Sequence, residues 1–400
     1  MRTRTVVAAL CAAVLLIGAA NAAEKKLTAS LKKGTPDIKQ AGALAFAPEG
    51  ILLVGDSMGA AVFAIDTGDR PAKPAEGELK VEGVNEKIAG KLGSEAKQIR
   101  INDLAVNPLS GNAYLSVTRG QGKDALPVLL RVNRSGEIEQ IELKDVNFAK
   151  ATLPNPPDPD KKDRGGNLLR VDSITSVAYA DGKVFVAGLS NEEFSSKLRA
   201  IPFPFSEADK GASIEIFHGA HGRIETNSPV RTFVTYKIKD ETNLLAAYTC
   251  TPLVKVPVSD LKPGEKVKGT TIAELGNMNR PLDMIVYEKG GKDYILMANS
   301  ARGIMKVTTE NIDKIEGITT PIRGGGTAGL KYERFLGLDA DGKPVMAPPG
   351  LSKDKDDEIK KTVKTPIAGI VQLAKLDAKH GLVLVDAGKG VMNLETIALP

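Results

Sequence analysis

Asn102–Arg119 reads NDLAVNPLSGNAYLSVTR. Two short apolar runs flank a turn made of Asn107, Pro108, Ser110 and Gly111. Apolar runs of four to seven residues between such turn residues are the signature of a β-hairpin. The same plan recurs on both sides. Ala41–Asp66 is AGALAFAPEG followed by ILLVGDSMGAAVFAID, and Ser173–Pro202 opens SITSVAYADGKVFVAGLS. Pro281–Thr308 is PLDMIVYEKGGKDYILMANSARGIMKVT, and Ile367–Ile397 opens IAGIVQLAKLDAKHGLVLVDAG. A weaker copy, Val230–Val258, carries TFVTYKI, LLAAYTC and LVKVPV.

One meander of this kind cannot bury both of its faces, whereas meanders stacked around an axis can. The units start near residues 41, 102, 173, 230, 281 and 367. That spacing is wide for bare blades, so loops are inserted. The last gap has room for a divergent unit at Tyr332–Met346 (YERFLGLDADGKPVM). The expectation is an all-β chain whose residues 23–400 form a single β-propeller of seven four-stranded blades, with six or eight as the alternatives. Short insertions complete it: a helix in Glu78–Gly93 ended by Gly93, a loop at Pro154–Gly166, and a charged helix in Ser352–Lys364.

The units resemble the exported propellers built from NHL, YVTN and gluconolactonase-like repeats. The likeness rests on ALAFAPEG at Ala43–Gly50, DLAVNPLSGNAYLSV at Asp103–Val117 and DMIVYEKGGKDYILMANS at Asp283–Ser300. It spans most of the chain, and the lack of a Trp-Asp pair separates it from WD-repeat propellers. The resemblance implies a funnel where loops enter the innermost strands. Gluconolactonase-like members hold a divalent metal there on Glu, Asn and Asp, and Asn102, Asp103 and Asp283 occupy loosely similar places here.

The N-terminus reads as an address. A basic MRTRT precedes the apolar run VVAALCAAVLLIGAA, and Ala20-Asn21-Ala22 fits the small-x-small cleavage rule. The expectation is a signal peptide over residues 1–22 and a soluble periplasmic or secreted protein starting at Ala23. The alternative is an uncleaved anchor, for which the run is short. Cleavage removes Cys11, leaving Cys250 and no internal disulfide. No second long apolar run follows, so no membrane span is expected.

Composition narrows the chemistry. There are 54 basic and 49 acidic residues, interleaved as in Lys353–Lys364 (KDKDDEIKKTVK), which argues against nucleic-acid binding. The chain has no Trp, 3 His and no CxxC. A tryptophan stacking platform, a many-histidine metal site, a redox dithiol and covalent c-type haem are thereby excluded.

Two groups of residues remain as candidates. At the funnel stand Asn102, Asp103, Asp172, Ser173, Arg280 and Asp283, with Asp56, Arg119, Asn191, Asn299, Arg302 and Asp386 in the turns after second strands. Such groups bind a divalent cation or a small polar ligand, or simply cap strand ends. The second group is the segment IEIFHGAHGRIETNSPVRTF, Ile214–Phe233. Its His218, His221, Arg223, Glu225 and Arg231 suit ligand binding, and two imidazoles beside a carboxylate can take zinc or copper. The bland alternative is a long solvated loop. Cys250, in the apparent strand LLAAYTCTPL, reads as an inert thiol unless a histidine approaches it. Glu192 and Glu193 are adjacent and point apart, so they make a poor acid–base pair, and the segment after them reads as a helix with Lys197 and Arg199 on its surface. Ser57, Ser190 and Ser300 lack a GxSxG context, and Gly324–Gly326 lacks a phosphate-loop lysine.

The reading that follows is a monomeric exported propeller that binds a small molecule or protein at its channel mouth. The first alternative is a lactonase-like hydrolase using a divalent cation on Asn102, Asp103 and Asp283. The second is an accessory partner of a periplasmic oxidoreductase.

Overall fold

The computed structural model describes residues 26–205, 207–250 and 252–400. The expected signal peptide lies outside them. The described strands form six sheets of four to six strands each. Numbered by chain order, the blades begin with inner strands Leu44–Ala47, Ile99–Val106, Ser176–Ala180, Val230–Ile238, Pro281–Lys289 and Ile370–Lys375. These six strands touch in a closed ring around one axis, in the order blade 1, 3, 4, 5, 6, 2 and back to 1.

Packing shows the same closure. Six apolar clusters fill the six interfaces between neighbouring blades, one each. Leu52 and Phe63 of blade 1 meet Tyr114 and Leu129 of blade 2. Ile51 and Leu53 turn the other way, onto Val184 and Val186 of blade 3. In blade 4, Leu244 and Ala246 face blade 3 while Leu245 and Ala247 face blade 5. A middle strand is therefore sandwiched on both faces, which is why ILLV, LLAAY and ILMAN read as unbroken apolar runs. Inner strands have one face on the channel and alternate instead.

The blade number differs from the expected seven. Tyr332–Leu338 and Pro344–Ala347, expected as a divergent unit, are outer strands of blade 5, paired to Gly303–Thr308. Blades 3 and 5 have six strands rather than four, so they absorb chain that a uniform count assigns to another blade.

The N-terminal part closes the ring out of sequence. After blade 1 the chain crosses to blade 6, where Lys80–Val81 adds an outer strand beside Met392–Ala398. The helix α1, Val84–Leu92, buries Val84, Ile88 and Leu92 between blades 2 and 6 and stops at Gly93 (φ 59°). Blade 2 follows, and Val146–Thr152 then returns to pair with the third strand of blade 1. The second helix, α2 (Lys353–Thr362), is charged and buries no residue; its Asp356 pairs with Arg334. No helix among the described residues is long and apolar enough to cross a membrane.

Candidate functional site

The inner strands of blades 2, 4, 5 and 6 share a local device. Each carries a register shift at its start, between Ile101 and Asp103, Val230 and Thr232, Pro281 and Asp283, and Ile370 and Gln372. A β-bulge re-aims the side chains beside it. Asp103, Thr232, Asp283 and Gln372 therefore occupy equivalent places, each followed by an apolar residue. That repeated polar–apolar step is visible in the sequence, and it is the signal that would have added Thr232 and Gln372 to the funnel candidates.

These residues form a collar that ties neighbouring blades. The Asp103 carboxylate accepts the Leu44 N–H of blade 1 at 2.6 Å and the Leu104 N–H at 2.8 Å. Asp283 repeats this with Leu373 N–H of blade 6 at 2.9 Å and Met284 N–H at 2.8 Å. Gln372 donates to the Asn102 carbonyl at 3.0 Å, and Thr175 donates to the Val230 carbonyl at 2.6 Å. Asn102 spends its amide on Ala41 O and Thr118 Oγ1, and its Oδ1 accepts from Arg100. The Asn102 side chain is thus held by neighbours in its own blade and by the segment leading into blade 1.

The mouth is a 280 Å³ cavity lined by residues of all six blades, among them Gln40, Asn102, Asp172, Arg231, Arg280 and Gln372. Asp103, Ser176, Thr232 and Asp283 line both it and the 1350 Å³ cavity on the opposite side. They are the waist of the channel. Both aspartates are half-buried. Burial pushes the Asp103 carboxyl up to about 7. Burial, and then the Asp103 charge, hold Asp283 well above the usual carboxylate range. At the rim, Arg231 donates to Asp172 at 3.0 Å and to Thr249 Oγ1 at 2.9 Å. Burial and then the Arg231 charge lower the Arg280 pKa, while Asp172 opposes both.

The histidine pair lies elsewhere on this face, between blades 3 and 4. His218 ends the strand Ala212–His218, and a tight turn leads to Arg223–Glu225, which pairs back on it. The segment is therefore a hairpin tip rather than a long loop. Its glycines have physical reasons. A Cβ on Gly219 would meet the Glu274 carboxyl at 2.9 Å, and Gly222 holds φ 64°. His218 is 2% exposed and His221 43%. Their ring centroids lie 3.8 Å apart at a tilt of 34°, and the Nδ1 atoms lie 3.0 and 2.6 Å from the two oxygens of Glu225. Burial would raise the Glu225 pKa, but the two histidine hydrogen bonds outweigh it and hold the carboxylate far below its usual range. Arg223, exposed, adds a contact to the same carboxylate at 3.3 Å.

Cys250 is not in a strand. It follows Glu241–Tyr248 in a turn at φ 83° and donates its N–H to the Asn279 carbonyl at 2.7 Å. That turn brings its sulfur to the histidines: the ligand atoms of His218, His221 and Cys250 all lie within 4.8 Å of one another.

Two of the other candidates hold turns, while Arg119 ends the strand Ala113–Arg119 and Asn191 accepts from Lys161 at 2.9 Å. Asp56 accepts N–H groups of Lys39, Gln40 and Gly59, and Asn299 accepts those of Ala301 and Arg302. Glu192 pairs with Lys197 at 2.7 Å. The segment after it is the strand Ser196–Pro202, not a helix, and both Lys197 and Arg199 are 1% exposed.

No protein-family model and no curated protein matches this sequence. Solved structures of similar outline include the PQQ-bound aldose sugar dehydrogenase of Streptomyces coelicolor, at 11% identity and a TM-score of 0.30 over 92% of this chain and 97% of that one. A putative oxidoreductase (glucose dehydrogenase) of Thermus thermophilus is similar at 13% identity and a TM-score of 0.32, over 92% and 99%. The plexin A4 extracellular region is similar at 8% identity and a TM-score of 0.40, over 92% and 40%. Likeness of this degree assigns neither family, substrate nor cofactor.

Proposed function

We propose that this protein is an exported propeller that binds a small polar ligand at the mouth of its channel. One observation carries the reading: all six blades contribute to a 280 Å³ cavity with Arg280 and Arg231 at its rim and Asp103 and Asp283 at its floor. A concave site with few, convergent polar groups on a rigid scaffold is the usual setting for such binding. Because Asp172 already engages Arg231, Arg280 is the cation offered to an anionic group, and the carboxyls of Asp103 and Asp283, which burial biases toward the protonated form, exchange hydrogen bonds with the ligand's polar groups. A small sugar acid or an amino acid has this chemistry. A lactonase-like reading requires Asn102 Oδ1, which accepts from Arg100, and the carboxylates of Asp103 and Asp283, each accepting two backbone N–H groups, to turn toward one cation.

The test is thermal shift of the purified protein against a panel of sugars, sugar acids and amino acids, followed by calorimetry of those that stabilise it. Arg280→Ala should weaken binding of the best compound roughly tenfold or more, as loss of a charge-assisted hydrogen bond does. Stabilisation by no compound, or an unchanged affinity in Arg280→Ala, would refute the reading. Export has its own check: N-terminal sequencing of the protein recovered outside the cytoplasm should begin at Ala23. A mature chain that retains Met1 would overturn it.

A further inference from the structure

The geometry points to a transition-metal site at the blade 3–blade 4 junction, with His218, His221 and Cys250 as ligands and Glu225 as the residue that orients both imidazoles. It is separate from the channel and does not depend on what the channel binds.

Among the described residues these three side chains form the group of potential ligands that meets at metal-binding distance. They come from two different turns of two blades, so chain proximity alone does not explain their meeting. In a tetrahedral zinc site, metal–nitrogen and metal–sulfur distances of about 2.0–2.3 Å set ligands roughly 3.5 Å apart. The three ligand atoms lie within 4.8 Å of one another, so side-chain adjustments of about an ångström bring them to that spacing, and His221, 43% exposed, is the less confined of the two histidines.

Glu225 supplies the arrangement that metal-bound histidines commonly have, with the far ring nitrogen on a carboxylate. It contacts Nδ1 of both rings and so fixes how each imidazole is turned. Ser228 Oγ donates to the same carboxylate at 2.9 Å and fixes it. Charge also balances. A divalent ion, one thiolate and the Glu225 carboxylate sum to zero where His218 is 2% exposed and Glu225 10%, and the remaining charge, Arg223, stands 71% exposed in solvent. The donor set of two imidazoles and one thiolate selects zinc or copper over calcium and magnesium, which require oxygen ligands. Three protein ligands next to solvent leave a fourth position for water or a small anion.

The experiment uses the full mature protein stripped with chelator, then titrated by calorimetry with Zn2+, Cu2+ and Ca2+ in separate arms. The expected result is one equivalent of Zn2+ or Cu2+ bound and none of Ca2+ at that site. Metal should also slow alkylation of Cys250 by iodoacetamide, and Co2+ should give a thiolate charge-transfer band absent from Cys250→Ser. Glu225→Gln should weaken metal binding roughly 10- to 100-fold while keeping the three ligands, the usual effect of removing an orienting carboxylate. His218 is buried, so its variants are avoided; Cys250→Ser and His221→Ala stand at solvent-facing turns. Equal Zn2+ and Cu2+ affinity in wild type and the Cys250→Ser/His221→Ala double variant would overturn the proposal. So would alkylation of Cys250 at an unchanged rate in saturating metal.

Discussion

Asp69→Ala is expected to lower the unfolding free energy by about 3–5 kcal/mol, the cost of leaving a buried polar network without its charge. Asp69 is 8% exposed and sits where the chain leaves blade 1. Its carboxylate accepts Ser110 Oγ at 2.6 Å, Tyr114 OH at 2.9 Å, Asn112 Nδ2 at 3.1 Å and Asn107 Nδ2 at 3.2 Å, with Arg131 at 3.9 Å. All of these belong to blade 2. Asn107, Ser110 and Tyr114 are 0–1% exposed, so water does not readily replace the lost acceptor. Burial alone would raise the Asp69 pKa; the hydrogen bonds of Ser110, Asn112, Tyr114 and Asn107 outweigh it and lower the value. A depressed acid stabilises the fold above its unfolded pKa, and that contribution is lost as pH falls through the lower folded value. The penalty of Asp69→Ala should therefore be full at pH 7 and shrink in strong acid. Urea unfolding at both pH values measures it, and a loss under about 1 kcal/mol at pH 7 would contradict the role given to this network.

The channel aspartates should act in the opposite direction. Stability is expected to fall as pH rises from about 4 to 7, by on the order of 2 kcal/mol. Asp103 and Asp283 have raised folded pKa values, so over that window the folded protein holds protons that the unfolded chain has released. The stabilising contribution of such a group is present at low pH and is lost as pH climbs through the folded value. The Asp103→Asn/Asp283→Asn variant removes both titrations. Its absolute stability will be lower, because each amide meets a backbone N–H that the carboxylate accepted. The readout is the difference in slope: wild type should lose stability between pH 4.5 and 7.5 relative to the double variant. Parallel curves would show that the two carboxyls titrate like exposed ones.

Much of the scaffold is readable locally. The inner strands begin within a few residues of the expected unit starts, because apolar alternation and Gly, Asn or Asp turns act over neighbouring residues. α1 ends at Gly93 as expected, since its αL conformation suits glycine. The departures have one cause. The extra strands of blades 3 and 5 and the Lys80–Val81 closure pair segments whose separation no local pattern reports; Val81 finds Leu394. The buried Lys197 and Arg199 escape a local reading for a similar reason. Lys197 reaches Glu192 and Ser213, the latter on the next strand of blade 3.

The candidate sites divide along the same line. His218, His221 and Glu225 are close in sequence, and their association is legible. Cys250 joins them only because blades 3 and 4 pack, and because a turn at φ 83° points its backbone away from the strand. Asp103 and Asp283 are each legible as polar residues opening a strand. That they share one channel waist, with a common electrostatic fate, follows from ring closure. Residue order alone settles where the chain turns, which faces are apolar and which residue types are present for chemistry, because those depend on contacts within a strand or turn. The number of blades, their order around the axis and which side chains meet are settled by the closed fold, because they depend on pairings whose energy appears once the ring is complete.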